Sequence, residues 1–212
     1  MLSHLDCIIF PDRCEVIEVI PSQRYVYPIF KNGQSSLLTA TKQNNWNIFL
    51  NEKIKKINSI DVFVRDPVER LASGISSFIL TTVRDHPDLD TNTVNWFAEN
   101  YLYLNRHYAP QFLWLVNLAR YTHIECVLNF LDMSDIKTVT DVHEQPFKKL
   151  PVNTHIPNNE MYQRIDQVLV DSIGSSLTFT QLVKQIQHKD KHAYEWVIGR
   201  SQRILKPTYV LS

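Results

Sequence analysis

The segment VYPIFKNGQSSLL at 26–38 sets a lysine, a glycine and two serines where a strand pattern gives way to a helix pattern. A turn of that kind gathers unpaired backbone N–H groups at the start of a helix. Gly33 lets the backbone approach a ligand closely. Ser35 and Ser36 offer hydroxyl donors, and Lys31 adds a point charge that can follow a moving negative oxygen. Together they can cradle a phosphate or a sulfate. The spacing is not G-x-x-x-x-G-K-[ST], so this is no Walker A loop and the usual magnesium-binding arrangement is missing. An ordinary strand-to-helix turn with a solvated lysine would use the same residues.

A second set lies in VFVRDPVERLASGISSF at 62–78. Arg65 ends an apolar run at the mouth of the next helix. Its guanidinium can fork onto a phosphate while Ser73, two turns further on, donates a hydroxyl hydrogen bond. The alternative pairs Arg65 with Glu69 and Arg70 with Asp66 or Glu69, and leaves Ser73 and Gly74 to allow close helix packing.

These residues need elements to hold them. RYVYPIF (24–30) is β-branched and aromatic and predicts a strand. SSLLTATKQNNW predicts a helix that starts near Gln34 or Ser35. SIDVFV (59–64) predicts a buried parallel strand. Asp66 is a good N-cap and Pro67 suits the first helical position. Val68, Leu71, Ile75, Phe78 and Ile79 then form one apolar helix face. Two strand–helix units in succession predict an α/β sheet. Residues 84–92 read as a surface loop. Val94–Leu118 reads as helical and aromatic, with Pro110 interrupting or starting a helix. HIECVLNF (123–130) predicts a third strand, and 158–186 predicts helices.

The 212 residues are 44% hydrophobic, which suits one domain spanning 1–212 with a proper core. Lys+Arg and Asp+Glu are equal at 22 each, so bulk charge predicts neither a nucleic-acid nor a membrane partner. Cys7, Cys14 and Cys126 are odd in number and lack metal-ligand spacing, which favours free thiols in a reducing compartment. No apolar run approaches the ~20 residues of a membrane helix. A soluble, cytoplasmic protein is the expectation.

PIFKNGQSSL followed by VFVRDPVERLASGISSF resembles the sulfotransferases that use 3′-phosphoadenosine 5′-phosphosulfate (PAPS). The first stretch is similar to their 5′-phosphosulfate loop. The second matches their 3′-phosphate motif, R-[DE]-P-x-x-R-x-x-S, at every fixed position. NRHYAPQFLWL, leading into THIECVLNFLDMSDI, looks like a segment of the carbohydrate sulfotransferases of the chondroitin and dermatan type and their bacterial relatives. The resemblance covers about 24–155. It departs from the pattern where Ile29 and Phe30 separate Pro28 from Lys31, and where Gln34 replaces a small residue or threonine. It implies an α/β, three-layer, P-loop-like fold with a central parallel sheet flanked by helices. It assigns Lys31, Asn32, Gly33, Gln34, Ser35 and Ser36 to the 5′-phosphosulfate, and Arg65 and Ser73 to the 3′-phosphate. PAPS would be the donor, adenosine 3′,5′-bisphosphate (PAP) the product, and no metal would be needed. Residues 26–80 would bind the nucleotide. Residues 94–212 would supply the acceptor-side helices, with a carbohydrate hydroxyl as acceptor.

The acceptor hydroxyl needs a general base, and histidine is best tuned near neutral pH. His107 stands at the family's His-Trp or His-Tyr position and is the favoured base; a capping or surface histidine is the alternative. His155 and Glu99 follow. Asn153 could contact the nucleotide, and Arg200, Arg203 and Lys206 could close over it. HIEC (123–126) echoes a zinc deaminase motif, but no P-C-x-x-C follows, so His123 reads as structural. Trp96, Phe97, Tyr101, Tyr103, Tyr108, Phe112 and Trp114 could stack sugar rings, yet at helical spacing they read chiefly as core. A P-loop-like kinase and a catalytically inactive nucleotide- or glycan-binding relative are the competing readings.

Overall fold

The computed structural model describes residues 13–100, 105–140, 160–189, 191, 192 and 195. The chain runs β1 (Glu15–Val19), β2 (Arg24–Tyr27), α1 (Gln34–Asn44), β3 (Asn47–Leu50), a 3₁₀ segment (Asn51–Lys56), β4 (Ser59–Val64) and α2 (Pro67–Asp85). It continues through α3 (Thr91–Asn100), α4 (Gln111–Ala119), β5 (Val127–Asp132), α5 (Ile136–Thr140), α6 (Glu160–Val170), β6 (Ser176–Thr178) and α7 (Phe179–Lys189).

The six strands form one sheet in the order β3-β1-β2-β4-β5-β6. Its centre is parallel: β2 pairs with β4 through Val26↔Asp61, and β4 with β5 from Ser59↔Val127 to Val64↔Asp132. Its flanks are antiparallel, since β1 pairs with both β2 and β3, and β6 with β5. The expected central parallel sheet is therefore corrected to a mixed one. β1, β3 and β6 escaped the sequence reading for physical reasons. β6 has three residues and β3 four, most of them exposed, and β1 reads Glu-Val-Ile-Glu-Val. None carries the unbroken apolar run that marks a central strand.

Alternation along β4 divides the core. Ile60, Val62 and Val64 pack with Phe112, Leu115, Ile165, Leu169 and Leu182, beneath α4, α6 and α7. Phe63 points the other way, into a cluster with Val26, Leu37, Ala40, Ile136 and Val139 under α1 and α5. Helices thus flank both faces of the sheet. A third cluster joins α2 to α3 through Ile75, Phe78, Val94, Phe97 and Tyr108. Phe97, Tyr108, Phe112 and Trp114 are buried, as their spacing predicted, and Trp96 is exposed. Tyr101 and Tyr103 lie outside the described residues.

α2 starts as its sequence dictates. Asp66 accepts hydrogen bonds from the Val68 and Glu69 amides, both at 2.9 Å, with Pro67 at the first position. A cap of that kind contributes about 1 kcal/mol. Pro110 precedes α4. The expected 84–92 loop shrinks to 86–90, because α2 runs on to Asp85 and α3 begins at Thr91. The strand expected over 123–130 begins only at Val127, and His123 sits in the preceding turn, its Nε2 3.2 Å from Asn58 Oδ1. Among the described residues, no helix is long and apolar enough to cross a membrane. Cys14 and Cys126 are buried free thiols whose pKa values burial pushes up to about 12 and about 11.

Candidate anion-binding site

β2 and β4 are parallel neighbours, so the two segments that leave their C-terminal ends emerge side by side. Those segments are the 28–33 loop and Arg65, and open α/β sheets collect ligands at this edge. In the loop, Lys31 (φ +70°) and Gly33 (φ +74°) both adopt the left-handed conformation. For a lysine this costs on the order of 1 kcal/mol, and such strain concentrates at functional sites. Gly33 suits this place because its φ of +74° disfavours side chains; a Cβ there would also push aside the tip of Ile136, whose Cδ1 would be 2.6 Å away. As the N-cap of α1 it supplies no side-chain hydrogen bond to the helix start, and no acidic residue occupies the first turn. The leading N–H groups of Gln34, Ser35 and Ser36 have no place in the intrahelical ladder. Ser35 is exposed, and Gln34 and Ser36 are half-buried.

Three cations converge on this loop. Arg65 donates from Nη1 to the Lys31 carbonyl at 3.3 Å. Arg70 is fully buried and donates to the Phe30 carbonyl (3.0 Å) and to the Ala109 carbonyl (2.5 Å). Burial, and then the charges of Arg70 and Arg65, hold the Lys31 ammonium below its ordinary pKa. A fourth cation, Arg106, lies 5.2 Å from the centre of the Phe30 ring, which Lys31 Nζ also approaches at 5.7 Å. Acids stand near these cations too, with Asp66 at the start of α2 engaged by the Val68 and Glu69 amides. Glu69 stands 3.6 Å from Arg65 and is mostly exposed, so the pair is worth little. Asp166 faces Arg70 from α6 and is already engaged by the Gln111 and Phe112 amides, at 2.9 and 3.0 Å. Burial raises the Asp166 carboxyl to about 6 and lowers the Arg70 guanidinium to about 10.

Two residues behave differently from the sequence reading. The Arg70 guanidinium bonds to neither Asp66 nor Glu69; it faces inward and staples the loop to the turn before α4. The second arginine of the R-D-P-x-x-R run was the signal for it. Asn32 is fully buried, and its Nδ2 donates to the Phe63 carbonyl (2.8 Å) and to Gln111 Oε1 (2.5 Å). Its amide closes the turn onto the Ile29 carbonyl at 3.0 Å. Asn32 therefore shapes the loop rather than facing a ligand. Arg65–Glu69 pairing does occur, alongside the contact of Arg65 with the loop. Ser73 is half-buried on α2.

The turn before α4 carries His107 to the same place. Its ring meets Phe30 edge-on at 5.0 Å and Phe78 at 6.0 Å. Asn105 Oδ1 accepts from the His107 backbone N–H at 2.8 Å and lies 2.7 Å from Nδ1. An oxygen that already accepts from the amide must accept from the ring as well, so Nδ1 bears the proton and Nε2 is the basic nitrogen. Nothing in the local pattern flagged Asn105. Gly74 makes this placement possible, because a Cβ there would lie 2.1 Å from the His107 carbonyl oxygen. Gly74→Ala is expected to destabilise the fold by about 1–3 kcal/mol through that clash, read as a lower urea midpoint with an unchanged slope.

Glu99 is exposed at the end of α3. His155, Asn153, Arg200, Arg203 and Lys206 lie outside the described residues, as does Cys7. Among the described residues, no group of three His, Cys, Asp or Glu could hold a metal ion.

No protein-family model, curated protein or solved structure matches this chain.

Proposed function

We propose that the protein is a PAPS-dependent sulfotransferase acting on a carbohydrate hydroxyl, with a three-layer, P-loop-like architecture built on β2, β4 and β5. The observation that carries this reading is the pair of motif segments leaving adjacent parallel strands, with Arg65 in contact with the Lys31 loop. One segment suits a 5′-phosphosulfate: a strained lysine–glycine turn opening onto a helix start. The other suits a 3′-phosphate: a half-buried arginine at the mouth of a capped helix.

In the reaction, the acceptor oxygen attacks sulfur as its proton passes to His107 Nε2. The bond from sulfur to the bridging oxygen breaks, and PAP departs with that oxygen's new negative charge. Lys31 and the first amides of α1 stabilise this charge as it grows. His107, fixed in the Nδ1–H form by Asn105, receives the proton.

PAP should stabilise the protein more than AMP or ATP does. At a concentration one hundred times its dissociation constant it should add about 2.7 kcal/mol, or a rise in Tm of about 5–10 °C for a chain of this size. Differential scanning fluorimetry reads this directly, and Arg65→Ala should abolish the preference. Equal shifts with all three nucleotides would remove the case for a dedicated 3′-phosphate pocket. His107→Ala should retain PAP binding and lose transfer from labelled PAPS to a panel of glycans and small alcohols. Full activity in that variant would assign the base elsewhere.

A further inference from the structure

One buried side chain ties together the two segments that would hold the two ends of the nucleotide. Gln111, the first residue of α4, is fully buried. Its Nε2 donates to the Arg65 carbonyl at 2.8 Å, and its Oε1 accepts from the Arg65 amide at 3.0 Å. It thus pairs with the Arg65 backbone as a neighbouring strand would. The same Oε1 accepts from Asn32 Nδ2 at 2.5 Å, and Asn32 sits between the two left-handed residues of the Lys31 loop. Gln111 is itself anchored, because its amide donates to the buried Asp166 carboxylate at 2.9 Å. The Gln111 side chain therefore bonds both Arg65 and Asn32, one from each anion-binding segment, while it also lies against the Asp166 carboxylate.

From this bracket we infer that Gln111 is a positioning residue that sets the distance between the two anion pockets. It thereby selects nucleotides whose phosphates are spaced like those of a 3′,5′-bisphosphate. The inference rests on the function proposed above. Two anionic groups on one ligand gain from binding together only when the pockets match their spacing; a loose bracket forfeits that gain without weakening either pocket alone. Gln111 touches no ligand in this scheme and acts through the backbone of Arg65 and the shape of the 31–33 turn.

The test compares PAP, adenosine 2′,5′-bisphosphate, 5′-AMP and 3′-AMP by calorimetry on the full chain. The wild-type protein, Gln111→Leu and the similarly sized Gln111→Met are measured in parallel, with folding monitored by near-UV circular dichroism. Met fills much the same volume as Gln without burying a charge beside Asp166, so it keeps the packing if Leu fails to fold. Wild type should bind PAP about 100-fold or more tighter than either monophosphate, the lower end of the gain that linkage allows. In a folded Gln111 variant, that advantage and the preference over the 2′,5′ isomer should each fall about tenfold or more, while 5′-AMP and 3′-AMP affinities stay within about threefold. A uniform loss across all four nucleotides would make Gln111 merely part of the scaffold and overturn the inference. So would an unchanged advantage for PAP. A wild-type protein that binds PAP no better than the monophosphates would instead remove the paired anion sites, and the proposed function with them.

Discussion

Lys31→Ala is expected to slow sulfuryl transfer by about 10²- to 10³-fold, the loss typical of removing one donor aimed at a developing oxyanion. PAP affinity should fall about tenfold or less, because the ammonium is needed most when charge appears on the bridging oxygen. The geometry supports this split. Lys31 sits in a strained left-handed conformation at the C-terminal end of β2, next to the helix start that would share the same oxygen. Its ammonium is held below the ordinary lysine value of 10.5 by burial and by two arginines. The sign is then fixed: the cation is the active form, so turnover falls as pH rises through a value under 10.5. Lys31→Arg should move that fall to higher pH, since arginine keeps its charge. Steady-state rates with labelled PAPS, paired with calorimetry of PAP, separate the two effects. Lost binding with unchanged turnover would show that Lys31 grips the ground state instead.

The largest effect on stability should come from Arg70. Arg70→Met is expected to cost about 2–6 kcal/mol in urea unfolding, about 1–3 kcal/mol for each buried carbonyl left without its donor. Two carbonyls, those of Phe30 and Ala109, would lose their donors, and the Asp166 carboxylate would lose its nearby cation. Asp166 also accepts from the first two amides of α4. Loss of Arg70 should therefore loosen the α4 start as well as the Lys31 loop, and hydrogen exchange at Gln111 and Phe112 should accelerate. Arg70→Met with Asp166→Asn should recover part of the loss, because no uncompensated charge then stays buried. If Arg70→Met unfolds at the wild-type urea concentration, the guanidinium contributes nothing net to the fold and the proposed coupling is wrong.

These two arginines, five residues apart, illustrate how differently one motif can be used. Arg65 is half-buried at a strand end and keeps contact with solvent, whereas Arg70 is sealed beneath the loop. A charge at the first position can meet a ligand; a charge at the second can only shape the backbone that does. Asn32 and Ser35 divide the neighbouring segment in the same way, one buried and bonded to protein, the other exposed at the helix start.

Much of the frame was legible in the chain itself. SIDVFV forms a strand over the predicted residues, and Asp66 with Pro67 opens α2 as expected, because apolar runs and caps act between residues close in sequence. The turn at Gly33, the placement of Pro110 before α4 and the α/β class follow from the same short-range physics. Tertiary structure alone decided the antiparallel flanks of the sheet, where β1, β3 and β6 draw their stability from their partners and not from their own patterns. It alone decided that Arg70 turns inward, that Asn105 sets the His107 tautomer, and that Gln111 bonds Arg65 and Asn32 across separations of 46 and 79 residues. A buried polar atom takes whatever partner the packed chain brings within 3 Å, and no local pattern records which one that is.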